Sequence, residues 1–268
     1  MDVSITKLNL ASLKLNTLPD LSIYPNLQKL NCSSNNLTKL DNLPSGLKVL
    51  DCSDNKITSL NNLPSGLEIL NCNINQLSSL DNLPQSLIKL NCESNQITNL
   101  DNLPINLQKL DCLCNEITNL DNLPINLQKL YCSGNQLTSL DNLPSGLIKL
   151  CCDQNKLTSL DNLPINLQYL DCNNNKITTL DNLPSSLQIL KCLHNKITSL
   201  DKLPNGLLVL NCMCNKITSI DNLPNSLEDL YCSSNRITSM KNLPESLQTI
   251  CCGNNPLGDN YKKYLNRD

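Results

Sequence analysis

Residues 27–46 read LQKLNCSSNNLTKLDNLPSG, and residues 47–66 read LKVLDCSDNKITSLNNLPSG. The second stretch keeps the Leu, Cys, Asn and Pro of the first in place, with Ile57 for Leu37, and changes the residues between them. The frame L-x-x-L-x-C-x-x-N-x-[LI]-x-x-L-x-x-L-P-x-x recurs every twenty residues from Leu27 onward, with aliphatic exchanges only and no insertion or deletion. Such a period marks one supersecondary unit, repeated and stacked. Alternation about Leu30-Asn31-Cys32 predicts a short strand with Leu30 and Cys32 inward and Asn31 outward. Leu37, Leu40 and Leu43 are expected to turn inward as the chain returns. Pro44, with its fixed φ and no amide hydrogen, suits an extended return and stops a helix. One coil cannot close its own faces, whereas a stack buries them continuously.

An asparagine follows each periodic cysteine by three residues, from Asn35 to Asn255. It is expected inside, its amide bonding backbone groups of its own coil and the adjacent one. Cys112, Asn115, Cys132 and Asn135 are therefore read as structural.

The 268 residues contain no Phe or Trp and six Tyr, so the core must be built from Leu and Ile. A net charge of -3 argues against a nucleic-acid partner. No run of 18 apolar residues marks a membrane helix, and the opening MDVSITKLNLASLKL does not read as a secretory leader. Two glycosylation triplets, at Asn31 and Asn36, are at chance level in so Asn-rich a chain. The expected organisation is a single domain over 1–268. Residues 1–26 form an irregular first coil, 27–258 hold twelve repeats with the last incomplete, and 259–268 form a cap. In that cap Tyr261, Tyr264 and Leu265 are spaced for a short amphipathic helix, with Asp259 as N-cap.

The motif L-x-x-L-x-[LC]-x-x-N-x-[LI] resembles that of the leucine-rich repeat family. The resemblance implies an α/β-type repeat solenoid. Its parallel sheet would lie on a concave face, with a mostly extended convex side. The twenty-residue period with L-P before the strand resembles the repeats of secreted bacterial effectors. The D-N-L-P wording with a strand cysteine resembles the repeat proteins of giant viruses of the mimivirus kind. Neither the helical pair that precedes such effector repeats nor a ubiquitin-ligase domain is recognisable, so ligase activity is not expected.

Twelve of the sixteen cysteines lie on the periodic row from Cys32 to Cys252. Free Cys acts as a small buried hydrophobe, which suits a tight coil. Neighbours about 4.7–4.9 Å apart are wider than the roughly 3.8 Å Cβ separation of a disulfide. Buried reduced thiols are expected, and with them an intracellular, reducing compartment (host cytoplasm if viral). Cys114 and Cys214 follow the strand where the chain bends away, and Cys151 and Cys251 face outward. The matches Cys114/Cys214, Cys151/Cys251 and Tyr131/Tyr231 suggest duplication of a five-coil block. His194 shares the register of Cys214 one coil before it. A structural zinc wants four ligands, and Asn174 and Ser234 supply none, so no metal or cofactor is expected.

Catalysis is not expected, which leaves the outward strand face as the functional surface. Tyr169, Ile189, Lys191, Leu193, Val209, Met213 and Tyr231 should gather there in the C-terminal half, as an apolar patch does at an interaction site. Harmless β-propensity is the rival reading. Val49, Ile69, Lys109, Lys129 and Tyr131 form a secondary set. Asp recurs from Asp41 to Asp221, where its carboxylate could bond a backbone N–H two residues on, and Lys56, Lys156, Lys176, Lys196, Lys216 and Arg236 form an opposite rail. The expected function is a non-catalytic protein–protein interaction module that binds an unidentified protein on its concave face. No nucleic acid or membrane is expected as partner, and a monomer is favoured. A self-assembling component using the charged flanks or a sheet edge is the alternative, and a metal or thiol enzyme ranks third.

Overall fold

Leu30 and Cys32 can both leave water only if the residues around Asn31 are extended, and each coil is extended there. A computed structural model describes residues 4–257. The chain forms two compact units, Met1–Asn135 and Gln136–Asp268. The first carries β1 (Lys7–Asn9), β2 (Lys29–Asn31), β3 (Val49–Asp51), β4 (Ile69–Asn71), β5 (Lys89–Asn91), β6 (Lys109–Asp111) and β7 (Lys129–Tyr131). The second carries β8 (Lys149–Cys151), β9 (Tyr169–Asp171), β10 (Ile189–Lys191), β11 (Val209–Asn211), β12 (Asp229–Tyr231) and β13 (Thr249–Cys251). Within each unit consecutive strands pair in parallel with matching registers, as Leu30 with Leu50 and Leu190 with Leu210. Each unit is thus a parallel-sheet solenoid. No helix occurs among the described residues, and the expected cap at 259–268 lies outside them.

The interior is nearly dry. Leu27, Leu37, Leu50, Leu110, Leu190 and the periodic cysteines from Cys32 to Cys232 are 0% exposed. Burying one such leucine contributes about 1.5–3 kcal/mol. The thiols also bond between coils: Cys112 Sγ donates to the Tyr131 carbonyl at 3.3 Å, and Cys172 Sγ to that of Lys191 at 3.3 Å.

Asparagine closes the polar side of each coil. Asn115 Nδ2 donates to the carbonyls of Cys112 (3.2 Å), Leu113 (3.1 Å) and, one coil back, Cys92 (3.1 Å). Its Oδ1 accepts from Ile97 N at 3.0 Å. Asn135 repeats the pattern on Cys132, Ser133, Cys112 and Ile117. Four backbone groups that the coil would otherwise strand are satisfied by one side chain.

Two local features differ from the sequence expectation, and a third is new to it. The Leu of the L-P pair is buried at Leu83, Leu103, Leu203 and Leu223 but only half-buried at Leu43, Leu123 and Leu163. Its Pro opens a turn in both cases: Pro44 O accepts from Leu47 N at 3.1 Å, and Pro104 O from Leu107 N at 3.0 Å. The Asp rail is held between coils, where an Asx-type bond to the following backbone was expected. Asp101 Oδ1 accepts from Asn122 Nδ2 at 3.2 Å, and Asp161 Oδ1 from Asn182 Nδ2 at 2.8 Å, while the N–H of Asp101 donates back to Asn99 Oδ1. Third, the second residue after each periodic cysteine is left-handed, from Ser34 (φ 53) and Ile74 (φ 51) to His194 (φ 57). One residue of this register is glycine: a Cβ on Gly134 (φ +65) would lie 3.2 Å from Cys114 Sγ.

Candidate functional site

Because side chains alternate along a strand, the first and third residues of each β-strand project from the sheet while the middle residue turns inward, buried from β2 to β12 and half-buried in β1 and β13. In the second unit Tyr169, Ile189 and Val209 stand in register on β9, β10 and β11. Lys191 pairs with Asp171 on one side and Asn211 on the other, and Tyr231 pairs with Asn211 one strand further on. Leu193 and Met213 follow β10 and β11 on consecutive coils. All seven are half-buried, so the patch is shallower than a fully exposed apolar surface. Tyr169, Ile189 and Val209 form its contiguous part, and Tyr231 lies at its margin. In the first unit the secondary set separates into two groups. Val49 and Ile69 are partners on β3 and β4. Lys109 and Lys129 are partners on β6 and β7, with Tyr131 opposite Asp111.

Tyrosine rings organise the cations. Lys149 Nζ lies 4.2 Å and Lys191 Nζ 5.6 Å from the Tyr169 ring centroid. Lys109 Nζ lies 5.1 Å from that of Tyr131. These are within cation–π range. The Tyr169 hydroxyl beside Lys191 pushes its ammonium pKa up, against the effect of burial.

Burial acts on the acids of the same face. It raises Asp111 and Asp171 above the ordinary carboxylate value, while the backbone N–H groups of Leu113 and Asn173 pull them back. Among the described residues two buried side-chain oxygens have no hydrogen-bond partner, Asn73 Oδ1 and Asp111 Oδ1. Both lie on or beside the sheet face of the first unit. A buried acceptor without a donor is costly.

Of the off-row cysteines, Cys114 and Cys251 are exposed and Cys151 and Cys214 half-buried. Burial pushes the Cys151 thiol up to about 11, and burial with the nearby Asp51 charge pushes Cys32 up to about 12. Thiols held neutral this far above pH 7 are poor nucleophiles. His194 is exposed, and among the described residues no group of three His, Cys, Asp or Glu side chains is placed to hold a metal ion.

The large exposed apolar residues lie elsewhere. Ile105, Ile125 and Ile165 are 59%, 68% and 71% exposed in the turn after Pro. The wording L-P-I-N was their signal in the sequence, because other coils carry Ser, Gln, Asn or Glu at that place.

No family model matches the sequence, and no curated protein matches it. Solved structures do. YopM from Yersinia enterocolitica WA-314 is 34% identical, with a TM-score of 0.85 over 91% of this chain. This chain spans 55% of that protein's length, about half. YopM from Yersinia pestis, a leucine-rich effector protein, is 32% identical with a TM-score of 0.79, covering 93% of this chain and 78% of its own. The functional domain of InlJ from Listeria monocytogenes, which includes a cysteine ladder, is 33% identical with a TM-score of 0.75, covering 96% and 64%. With the twenty-residue coil, the parallel sheet and the Asn row in place, the chain belongs to the leucine-rich repeat family.

Proposed function

We propose that the chain is a non-catalytic protein-interaction module whose outward strand face binds a protein partner. The observation that carries this reading is the run Tyr169–Ile189–Val209, three large side chains in register that leave the core and stay half-exposed. The fold does not need them there: Lys129 and Asp229 occupy the same register on β7 and β12. The lysines beside the Tyr169 ring add charged contacts to the same face. Leucine-rich repeat proteins as structural neighbours support an interaction module, although a fold by itself assigns no function. The buried free thiols fit a reducing compartment, and a monomer is the favoured state.

The test is capture from lysate with wild type and with Tyr169→Ala combined with Leu193→Asp. The variant is expected to lose the captured protein while its melting temperature stays within a few degrees. Unchanged capture would overturn the strand-face reading. The second reading is self-assembly through the flanks, where Lys202 and Asp181 already pair at 3.7 Å between coils. Sedimentation that shows a monomer at every salt concentration would remove it, since exposed pairs give about 0–1 kcal/mol each.

A further inference from the structure

We infer that the sheet face at β1–β3 is a binding site for carboxylates, taken from an acidic segment of a protein partner. This rests on the strand-face reading and names the chemistry of one end of that face. A cavity of about 340 Å³ opens there, lined by Lys7, Asn9, Lys29, Asn31, Val49 and Asp51 among others. Lys7 and Lys29 are cross-strand partners, as are Asn9 and Asn31, so like groups stand about 4.8 Å apart. Like charges directly opposite repel and destabilise the pair. Neither lysine makes an ion pair or side-chain hydrogen bond with a described residue. Lys39 and Lys48, by contrast, pair with Asp41 and Glu68.

The amides add direction. Asn9 Oδ1 accepts from Ala11 N at 3.0 Å and Asn31 Oδ1 from Ser33 N at 3.0 Å. With each oxygen fixed on its own chain, each Nδ2 is turned the other way and has no acceptor among the described residues. Two ammonium groups and two amide NH₂ groups thus line one cleft. Its single carboxylate, Asp51, is engaged by Ser53 through N at 3.1 Å and Oγ at 2.6 Å. A donor set of this kind fits carboxylate oxygens, and charge-assisted bonds are the strong ones. Val49 beside it supplies apolar contact for the stem of a Glu or Asp side chain.

The probe is hexaglutamate, with hexaglutamine as the neutral control, titrated at low salt against the full chain. Wild type is expected to bind the first and not the second. Lys7→Gln with Lys29→Gln should weaken hexaglutamate at least about tenfold, while Lys56→Gln with Lys176→Gln, exposed lysines outside the strands, should stay within about twofold. Asn31→Asp gives an independent arm. Its oxygen can still accept from Ser33 N, as Asp51 does from Ser53 N, so the fold is kept while a donor becomes a repelling charge. That variant should also lose at least about tenfold. Hexaglutamate that fails to bind wild type at millimolar concentration, or equal loss in both lysine pairs, would overturn the inference. A chain that ignores hexaglutamate yet loses its partner on the Tyr169→Ala, Leu193→Asp change would keep the strand-face reading and discard only this one.

Discussion

The two sides of one three-residue strand obey different rules. On the inner side Leu110, and Cys112 just past the strand, repeat the residues twenty before and twenty after, and both are 0% exposed. On the outer side Lys109 and Asp111 are flanked by Lys89 and Asn91 in one direction and by Lys129 and Tyr131 in the other. A stacked coil meets only its neighbours, so any change of inner volume is felt by the coils above and below. The outer positions meet neighbouring coils only through surface contacts, such as Lys109 on the Tyr131 ring. Uniformity therefore marks what the stack requires, and variation marks where the molecule is free to recognise something else.

The sharpest way to break this contrast is to cut both sides of β6. Leu110→Ala should cost about 2–5 kcal/mol, because a fully buried leucine leaves a cavity that close packing does not refill. Lys109→Ala should change stability by no more than about 1 kcal/mol, the size of its surface contact with the Tyr131 ring. Urea unfolding of the two variants checks the difference, and equal midpoints would remove the contrast. Next in size is the polar counterpart. Asn135→Ala should cost about 1–3 kcal/mol, since it strands Ile117 N and three carbonyls. Asn126, whose Nδ2 bonds Ile105 O from an exposed turn, should tolerate the same change within about 0.5 kcal/mol. Comparable losses at the two asparagines would mean that inner burial is not what makes the ladder matter. The smallest effect is a gain. Ile74 is β-branched, 51% exposed and left-handed at φ 51, a conformation that asparagine adopts more readily. Ile74→Asn should stabilise the fold by about 0.5–1 kcal/mol and so raise the unfolding midpoint. A fall would show that Ile74 makes an apolar contact worth more than the backbone strain.

Legibility in the sequence follows the same division. Leu30, Cys32, Asn35 and Leu37 were readable because each is dictated by a buried position that recurs. The left-handed register was not, because Ser34, Asp54, Ile74, Cys114 and His194 share no chemistry. The geometry of the coil sets that backbone, and the side chains merely accommodate it. The Asp rail was misread as a local turn because its partner sits twenty-one residues on, as Asn122 does for Asp101, and a local rule cannot see a neighbouring coil. For the candidate face, the register of Tyr169, Ile189 and Val209 followed directly from the period. The Tyr169 cation–π contacts, the outward-turned amides at Asn9 and Asn31 and the unsatisfied oxygen of Asp111 depend on side-chain direction, which no spacing encodes.

Everything rests on the thiols being interior filling. Alkylation of the native chain without reductant at pH 8, followed by site-resolved mass spectrometry, addresses this directly. Cys114 and Cys251 should label first, Cys214 more slowly, and Cys151 slowest of the four, since its thiol is raised to about 11. The periodic row should label only after unfolding, and then completely. Labelling of Cys112 or Cys132 in the folded chain, or thiols that stay blocked in denaturant until reduced, would contradict the account.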